Sequence, residues 1–329
     1  FHPNGMVFHI YQDGKLKDDI TAYSVGGGSI VWEGEDDFSM SRKNVYREKS
    51  LKEILETLDR NAYSFYDYVM EHENALFVDY LYEILDTMFD CVKRGLEKEG
   101  TIPGKLQLPR VAKQMYTQAI NLPAGSERET LILSSYAYAV AEENASGQTI
   151  VTAPTCGSSG VLPAILYYCY KQLNVEKPRL IKALAVAGVF GNVIKNNASI
   201  SGADAGCQAE IGAASAMAAA ALVYLRGGSP EACGNACAMA LKNLLGLVCD
   251  PVAGLVEVPC VKRNVVGVVN AISCANMALA GIVSRIPPDE VIDAMAEVGS
   301  SMSADLRETA RGGLAATPTG KRIAAERAE

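Results

Sequence analysis

The spacing of apolar and polar residues changes once along this chain. Over residues 1–35 it alternates in the strand manner: Met6-Val7-Phe8-His9-Ile10-Tyr11 leads to Asp13-Gly14, and Ile20-Thr21-Ala22-Tyr23-Ser24-Val25 follows. Asp-Gly between two alternating runs marks a hairpin. Gly26-Gly27-Gly28 and the acidic Glu33-Gly34-Glu35-Asp36-Asp37 then read as loop and linker. A lone hairpin is marginal in water. Residues 1–36 are therefore read as the C-terminal remnant of a β domain, and the absent initiator Met implies a protein that begins earlier.

From Ser50 onward the period becomes 3.6. Ser50-Leu51-Lys52-Glu53 has the capping-box pattern and opens a stripe of Ile54, Leu55 and Leu58. Further helices are expected near 74–98, 108–120, 127–143, 159–172, 178–193, 207–226, 229–245, 264–284 and 288–298. Strand patterns are nearly absent after residue 35, so the fold class is mainly α, with residues 37–329 forming one all-helical domain. The apolar run Ile211–Leu225 contains Gly212 and Ser215 and falls short of the ~20 residues a bilayer span needs. It is read as a helix buried in the bundle.

Composition narrows the class further. The 329 residues are 49% hydrophobic and 21% charged, which excludes disorder. Aromatics make up only 7%, and small residues crowd the second half, favouring close-packed helices over a β-sandwich. Thirty basic against 38 acidic residues give a net charge of −8 with no basic stripe, so no nucleic-acid partner is expected. The N-terminal residues lack a signal-peptide pattern. Nine cysteines, an odd number, point to free thiols in a reducing cytoplasm.

Three Gly/Pro/Thr-rich loops carry the unusual residues. In Val151–Gly160, Thr152, Thr155, Gly157 and Ser158 precede an apolar helix. Such a turn offers backbone N–H groups and the positive end of a helix to a carboxylate; an ordinary cap is the alternative. The second loop holds Lys195, Asn197, Ser199, Ser201 and Cys207; the third holds Cys249, Cys260 and Arg263. The three cysteines are spaced C-x41-C-x10-C. No histidine lies near them, and zinc would want four N/S ligands. Three thiolates suit a [4Fe–4S] cluster with one open iron, while buried free thiols are the default reading of spacing alone.

These segments resemble the iron–sulfur-dependent L-serine dehydratases of bacteria, in particular their α chain, over essentially the whole length. HPNGM at His2–Met6 and YSVGGG at Tyr23–Gly28 resemble the end of the family's β domain. TAPT at Thr152–Thr155, KxNASISGA at Lys195–Ala203, GCQxE at Gly206–Glu210, GLxCDPVxGLVxVPC at Gly246–Cys260 and KRN at Lys262–Asn264 resemble the α domain. The resemblance implies an all-α catalytic domain whose cluster is held by Cys207, Cys249 and Cys260. Many relatives carry Asn where this chain has Cys156. Some relatives end in a cysteine that occupies the open iron; with Arg327-Ala328-Glu329 at its end, this chain is not expected to do so.

The resemblance further implies conversion of L-serine to pyruvate and ammonia without pyridoxal phosphate. Thr152, Thr155, Gly157 and Ser158 are then expected to hold the substrate carboxylate. Lys195, Asn197, Ser199 and Ser201 are expected to make polar contacts, and Arg263 to pair with a carboxylate or to form a helix-start salt bridge. The catalytic base is unassigned: in relatives it is a histidine of the β domain, and His2, His9 and His72 are not expected to replace it. The resemblance implies a β domain or β subunit as partner; the Ala/Gly-rich helices and the hairpin remnant point to a homodimer, and no membrane association is expected. The rival readings are a related L-cysteine desulfidase and a non-catalytic helical subunit.

Overall fold

The computed structural model describes residues 5–26, 29–34, 45–104 and 106–326. At its start β1 (Gly5–Gln12) and β2 (Lys15–Gly26) form the expected hairpin, paired antiparallel from Gly5 opposite Tyr23 to Gln12 opposite Lys15. The hairpin is not alone. β3 (Ser29–Trp32) returns antiparallel along the other side of β2, placing Val31 opposite Tyr23. The sequence reading assigned Gly26–Gly28 to loop and missed this strand. Trp32 and Ile30 stand well exposed, as do Met6, Val7, Phe8 and Tyr11 on β1.

The rest is helical. In order come α1 (Leu51–Asn61), α2 (Phe65–His72), α3 (Leu76–Glu97), α4 (Ala112–Asn121), α5 (Ser126–Ala145), α6 (Val161–Gln172) and α7 (Lys177–Asn197). They are followed by α8 (Gly202–Ala205), α9 (Ala213–Leu225), α10 (Pro230–Lys242), α11 (Cys260–Leu279), α12 (Pro288–Ser301) and α13 (Pro318–Glu326). The ten expected helices are present; α2, α8 and α13 are additional. α1 starts as its capping pattern requires: Ser50 Oγ accepts from Glu53 N at 3.2 Å. Glu53 completes the cap one residue early, its carboxylate accepting from Lys49 N at 2.6 Å.

At the centre stands α9, in which every residue but Tyr224 is buried. Its Ala-rich surface lets α7, α10 and α11 approach from all sides. The 18 residues Gln208–Leu225 are apolar enough for a membrane span by length and composition, yet 89% of them lie inside the protein. Close approach recurs between α3 and α5, where a Cβ on Gly95 would sit 2.3 Å from the Ala139 carbonyl oxygen. This packed bundle is the rigid frame from which the three polar loops project.

Candidate metal and substrate site

The first loop enters the site through a turn before α6. Thr155 Oγ1 donates to Glu210 Oε1 at 2.6 Å and lies 3.0 Å from Ser158 Oγ. Because the Thr155 proton is committed to Glu210, the proton between the two hydroxyls must come from Ser158. Both side chains are buried. Asn264, one turn into α11, holds this loop against the third: its Nδ2 donates to Gly157 O (2.8 Å) and Cys260 O (3.1 Å), and its Oδ1 accepts from Gly160 N (2.9 Å).

The second loop brings Cys207 in just ahead of a short π-helical turn, Gln208–Gly212. Such turns are rare and cluster at functional sites. Here it is pinned by Gln208, whose amide donates to Met295 O and accepts from Gly246 N. The turn aims Glu210 between two glycines. A Cβ on Gly202 would come 2.8 Å from Glu210 Oε2, and one on Gly157 3.1 Å from Oε1. Gly206, at φ +73, has no room for a side chain beside Leu247 O.

The third loop supplies Cys249, whose backbone is held on both sides by the C-terminal segment: Cys249 N donates to Leu306 O and Cys249 O accepts from Glu308 N, each at 2.8 Å. The donor atoms of Cys207, Glu210 and Cys249 all lie within 4.8 Å of one another. Cys260 opens α11 and is buried; it lies outside that tight group yet within reach of the Cys207 charge. Arg263 Nη1 donates to Cys207 Sγ at 3.3 Å and to Val248 O at 2.7 Å, while Nη2 meets Asp250 Oδ1 at 2.8 Å. Its carboxylate partner is thus Asp250, the salt-bridge alternative raised for it.

Electrostatically the pocket gathers more thiol and carboxyl groups than the one Arg263 guanidinium in contact with them can balance. The hydrogen bond to Cys207, then burial, pushes the Cys249 thiol far up, and burial with the Cys207 charge does the same to Cys260. Burial raises the Glu210 carboxyl to about 7 against the Thr155 hydrogen bond, and it raises Glu308 too. Arg263 is the cation in contact with these groups. Clustered soft thiol donors with a shortage of positive charge fit an iron–sulfur centre, since metal ligation deprotonates thiols and supplies the missing cation.

Not every sequence-derived site residue reaches this pocket. Ser201 has a buried hydroxyl without a partner and precedes Gly202, whose Cβ position is 3.3 Å from Cys249 Sγ. Thr152 is exposed and lines a separate groove of about 580 Å³ beside α3 and α7. Lys195, also exposed, lines a second groove of about 430 Å³ with Glu48 and Lys49. Asn197 donates to Lys49 O and Val193 O, tying α7 to the chain ahead of α1. Ser199 donates to Asp204 and accepts from Ser201 N, shaping its own loop.

Of the histidines, His2 lies outside the described residues. His9 contacts Asp19 on the sheet, and His72 contacts Tyr68 O. Sequence reasoning passed over Glu210, Asn264, Asp250 and Glu308. The first three stand in quoted motifs and could have been weighed. No pattern marks Glu308, which reaches the site only through backbone pairing. Ser159, its hydroxyl buried and unpartnered, was likewise missed.

Comparison with known proteins gives a consistent set. The profile of the family described as "Serine dehydratase alpha chain" matches residues 39–315. "Probable L-serine dehydratase, alpha chain" of Bacillus subtilis (strain 168) is 52% identical over 241 residues, 73% of this chain and 79% of that protein. "L-serine dehydratase 1" of Escherichia coli (strain K12) is 40% identical over 328 residues, 95% of this chain and 72% of that protein. "L-serine dehydratase" of Streptomyces coelicolor is 39% identical over 333 residues, 96% and 72% respectively.

Proposed function

Since the chain belongs to the serine dehydratase alpha chain family, we propose that it is an L-serine ammonia-lyase whose reaction, L-serine to pyruvate and ammonia, takes place at the Cys207–Cys249 pocket. The observation that carries this is the gathering of Cys207, Cys249 and Glu210 from distant loops within 4.8 Å, against the Thr155 turn. The relatives named above are serine dehydratases, and the desulfidase alternative draws no support from them.

In this reading Cys207, Cys249 and Cys260 hold a [4Fe–4S] cluster. When bound, that cluster supplies a Lewis acid for the departing hydroxyl, hydroxide being a poor leaving group. The chain's own residues orient and enclose. Ser158 donates to Thr155 and Thr155 to Glu210, so these hydroxyl protons are not free for a ligand. The donors left for substrate are the buried hydroxyls of Ser159 and Ser201 and the backbone N–H groups of the Gly157–Ser158 turn. The last suit the substrate carboxylate, as anions suit N–H groups ahead of a helix. Arg263 holds Cys207 while Asp250 fixes the guanidinium. Loss of the α proton and of hydroxide leaves aminoacrylate, which tautomerises and hydrolyses.

Among the described residues no histidine faces this pocket. We assign the α-proton base to a β domain or β subunit, consistent with the "alpha chain" designation of the Bacillus relative and with β2 touching α8 beside the site. We further read residues 1–36 as the end of that β domain, the protein as cytoplasmic on its nine free cysteines, and the assembly as a homodimer. The test is anaerobic reconstitution with iron and sulfide, followed by iron and sulfide quantification and a serine-to-pyruvate assay with the β partner supplied. Cys249→Ala should lose the iron–sulfur absorbance and turnover together. Turnover that survives without bound iron would overturn the assignment.

A further inference from the structure

We propose that the cavity between α5, the 101–111 segment and the turn leading into Cys260 is a second binding site, one that takes a small aliphatic α-amino acid. The cavity holds about 220 Å³, room for roughly seven heavy atoms at ~30 Å³ each. Ile102, Leu108, Val258 and Val261 give it apolar walls. Two carboxyl groups line it as well, those of Glu142 (1% exposed) and Glu257 (6% exposed).

Glu142 is the informative one. Its Oε1 accepts twice at the start of α4, from Val111 N (2.7 Å) and Ala112 N (3.2 Å). Its Oε2 is buried with no hydrogen-bond partner. A buried acceptor left unpaired is costly because it has given up its water without a replacement, so a ligand that donates here recovers that loss. Neighbouring Glu143 shows the usual solution, shared between Arg94 and Arg110; among the described residues Glu142 makes no such ion pair, and the Arg110 charge acts on it without contact. Burial accordingly holds the Glu142 carboxyl above the ordinary carboxylate range.

Lys262, which is exposed, also lines the cavity. Buried carboxyls, apolar walls and an exposed ammonium complement a zwitterion entering ammonium first, with its carboxylate outward and an aliphatic side chain between. None of Cys207, Cys249 and Glu210 lines the cavity. Yet Val258 and Val261 flank the Pro259-Cys260 step, so an occupant touches the turn that carries the third thiol. The site is therefore placed to regulate the pocket without entering it.

Calorimetric titration of the metal-free chain with L-valine tests this. Millimolar or tighter binding is expected, and N-acetyl-L-valine, which has no ammonium, should not bind. Glu142→Gln keeps an acceptor for the α4 amides but removes the charge, and should weaken L-valine by about tenfold or more. Lys262→Ala, at an exposed position that leaves the fold intact, should weaken it several-fold. Cys249→Ala should leave it unchanged, which separates this site from the thiol pocket. No binding of L-valine, undiminished affinity in either lining variant, or loss in Cys249→Ala would each overturn the proposal.

Discussion

Arg263 shows how much a single side chain organises here. Its guanidinium spans Cys207 Sγ, Val248 O and Asp250, three partners from two loops. A lysine keeps the charge but cannot present that fork. Arg263→Lys should fold normally by circular dichroism yet bind iron about 10–100-fold more weakly, the usual penalty for losing a group that supports metal ligands; iron titration under anaerobic conditions checks it. A second residue-scale expectation concerns acid–base linkage at Glu142. Its carboxyl titrates higher in the folded chain than in the unfolded one. The stability this contributes is present in full below the unfolded value and is lost as pH rises through the folded one. Relative to Glu142→Gln, the parent should therefore lose stability on going from pH 4 to alkaline pH, as urea melts at a series of pH values would show.

At the scale of elements, the packing of α3 on α5 depends on Gly95, where a Cβ would collide with backbone rather than with a flexible side chain. Gly95→Ala should cost about 1–3 kcal/mol, the range for overpacking, read as a lower urea midpoint with unchanged slope. The long helices were legible because each repeats its apolar face over three or more turns, as Leu81, Leu85, Met88 and Val92 do in α3. The eight-residue α2, with Phe65, Tyr68 and Val69 as its buried face, is too short to display a period. The π turn behind Cys207 was invisible for another reason: Gln208 creates it through bonds to Met295 and Gly246, both remote in sequence. Cys207, Cys249, Cys260 and Arg263 could be singled out from local motifs. The relay from Ser158 to Glu210 could not, because its direction depends on which partner each hydroxyl meets after folding.

On the scale of the whole molecule, the three-stranded sheet exposes large apolar side chains from adjacent, oppositely facing positions, Met6, Val7 and Phe8 among them. Exposed apolar surface of this kind marks a contact face, in keeping with the β partner assigned above. The reconstituted chain by itself should turn over serine at no more than about 1% of the rate reached when a relative's β portion is added, the missing proton acceptor accounting for about a 10²–10⁴-fold deficit. Steady-state pyruvate release with and without that portion decides the matter. The C-terminal segment has the widest reach. Leu306 and Glu308 clamp the Cys249 peptide, and Leu314 N donates to the Asp250 carboxylate that in turn fixes Arg263. A polypeptide leaves the ribosome from its N-terminus, so the bundle can assemble while this stretch is still being made. The thiol chamber stays unsealed until residues 306–314 have emerged, and under the proposed function this leaves a late interval in which a metal centre can be loaded.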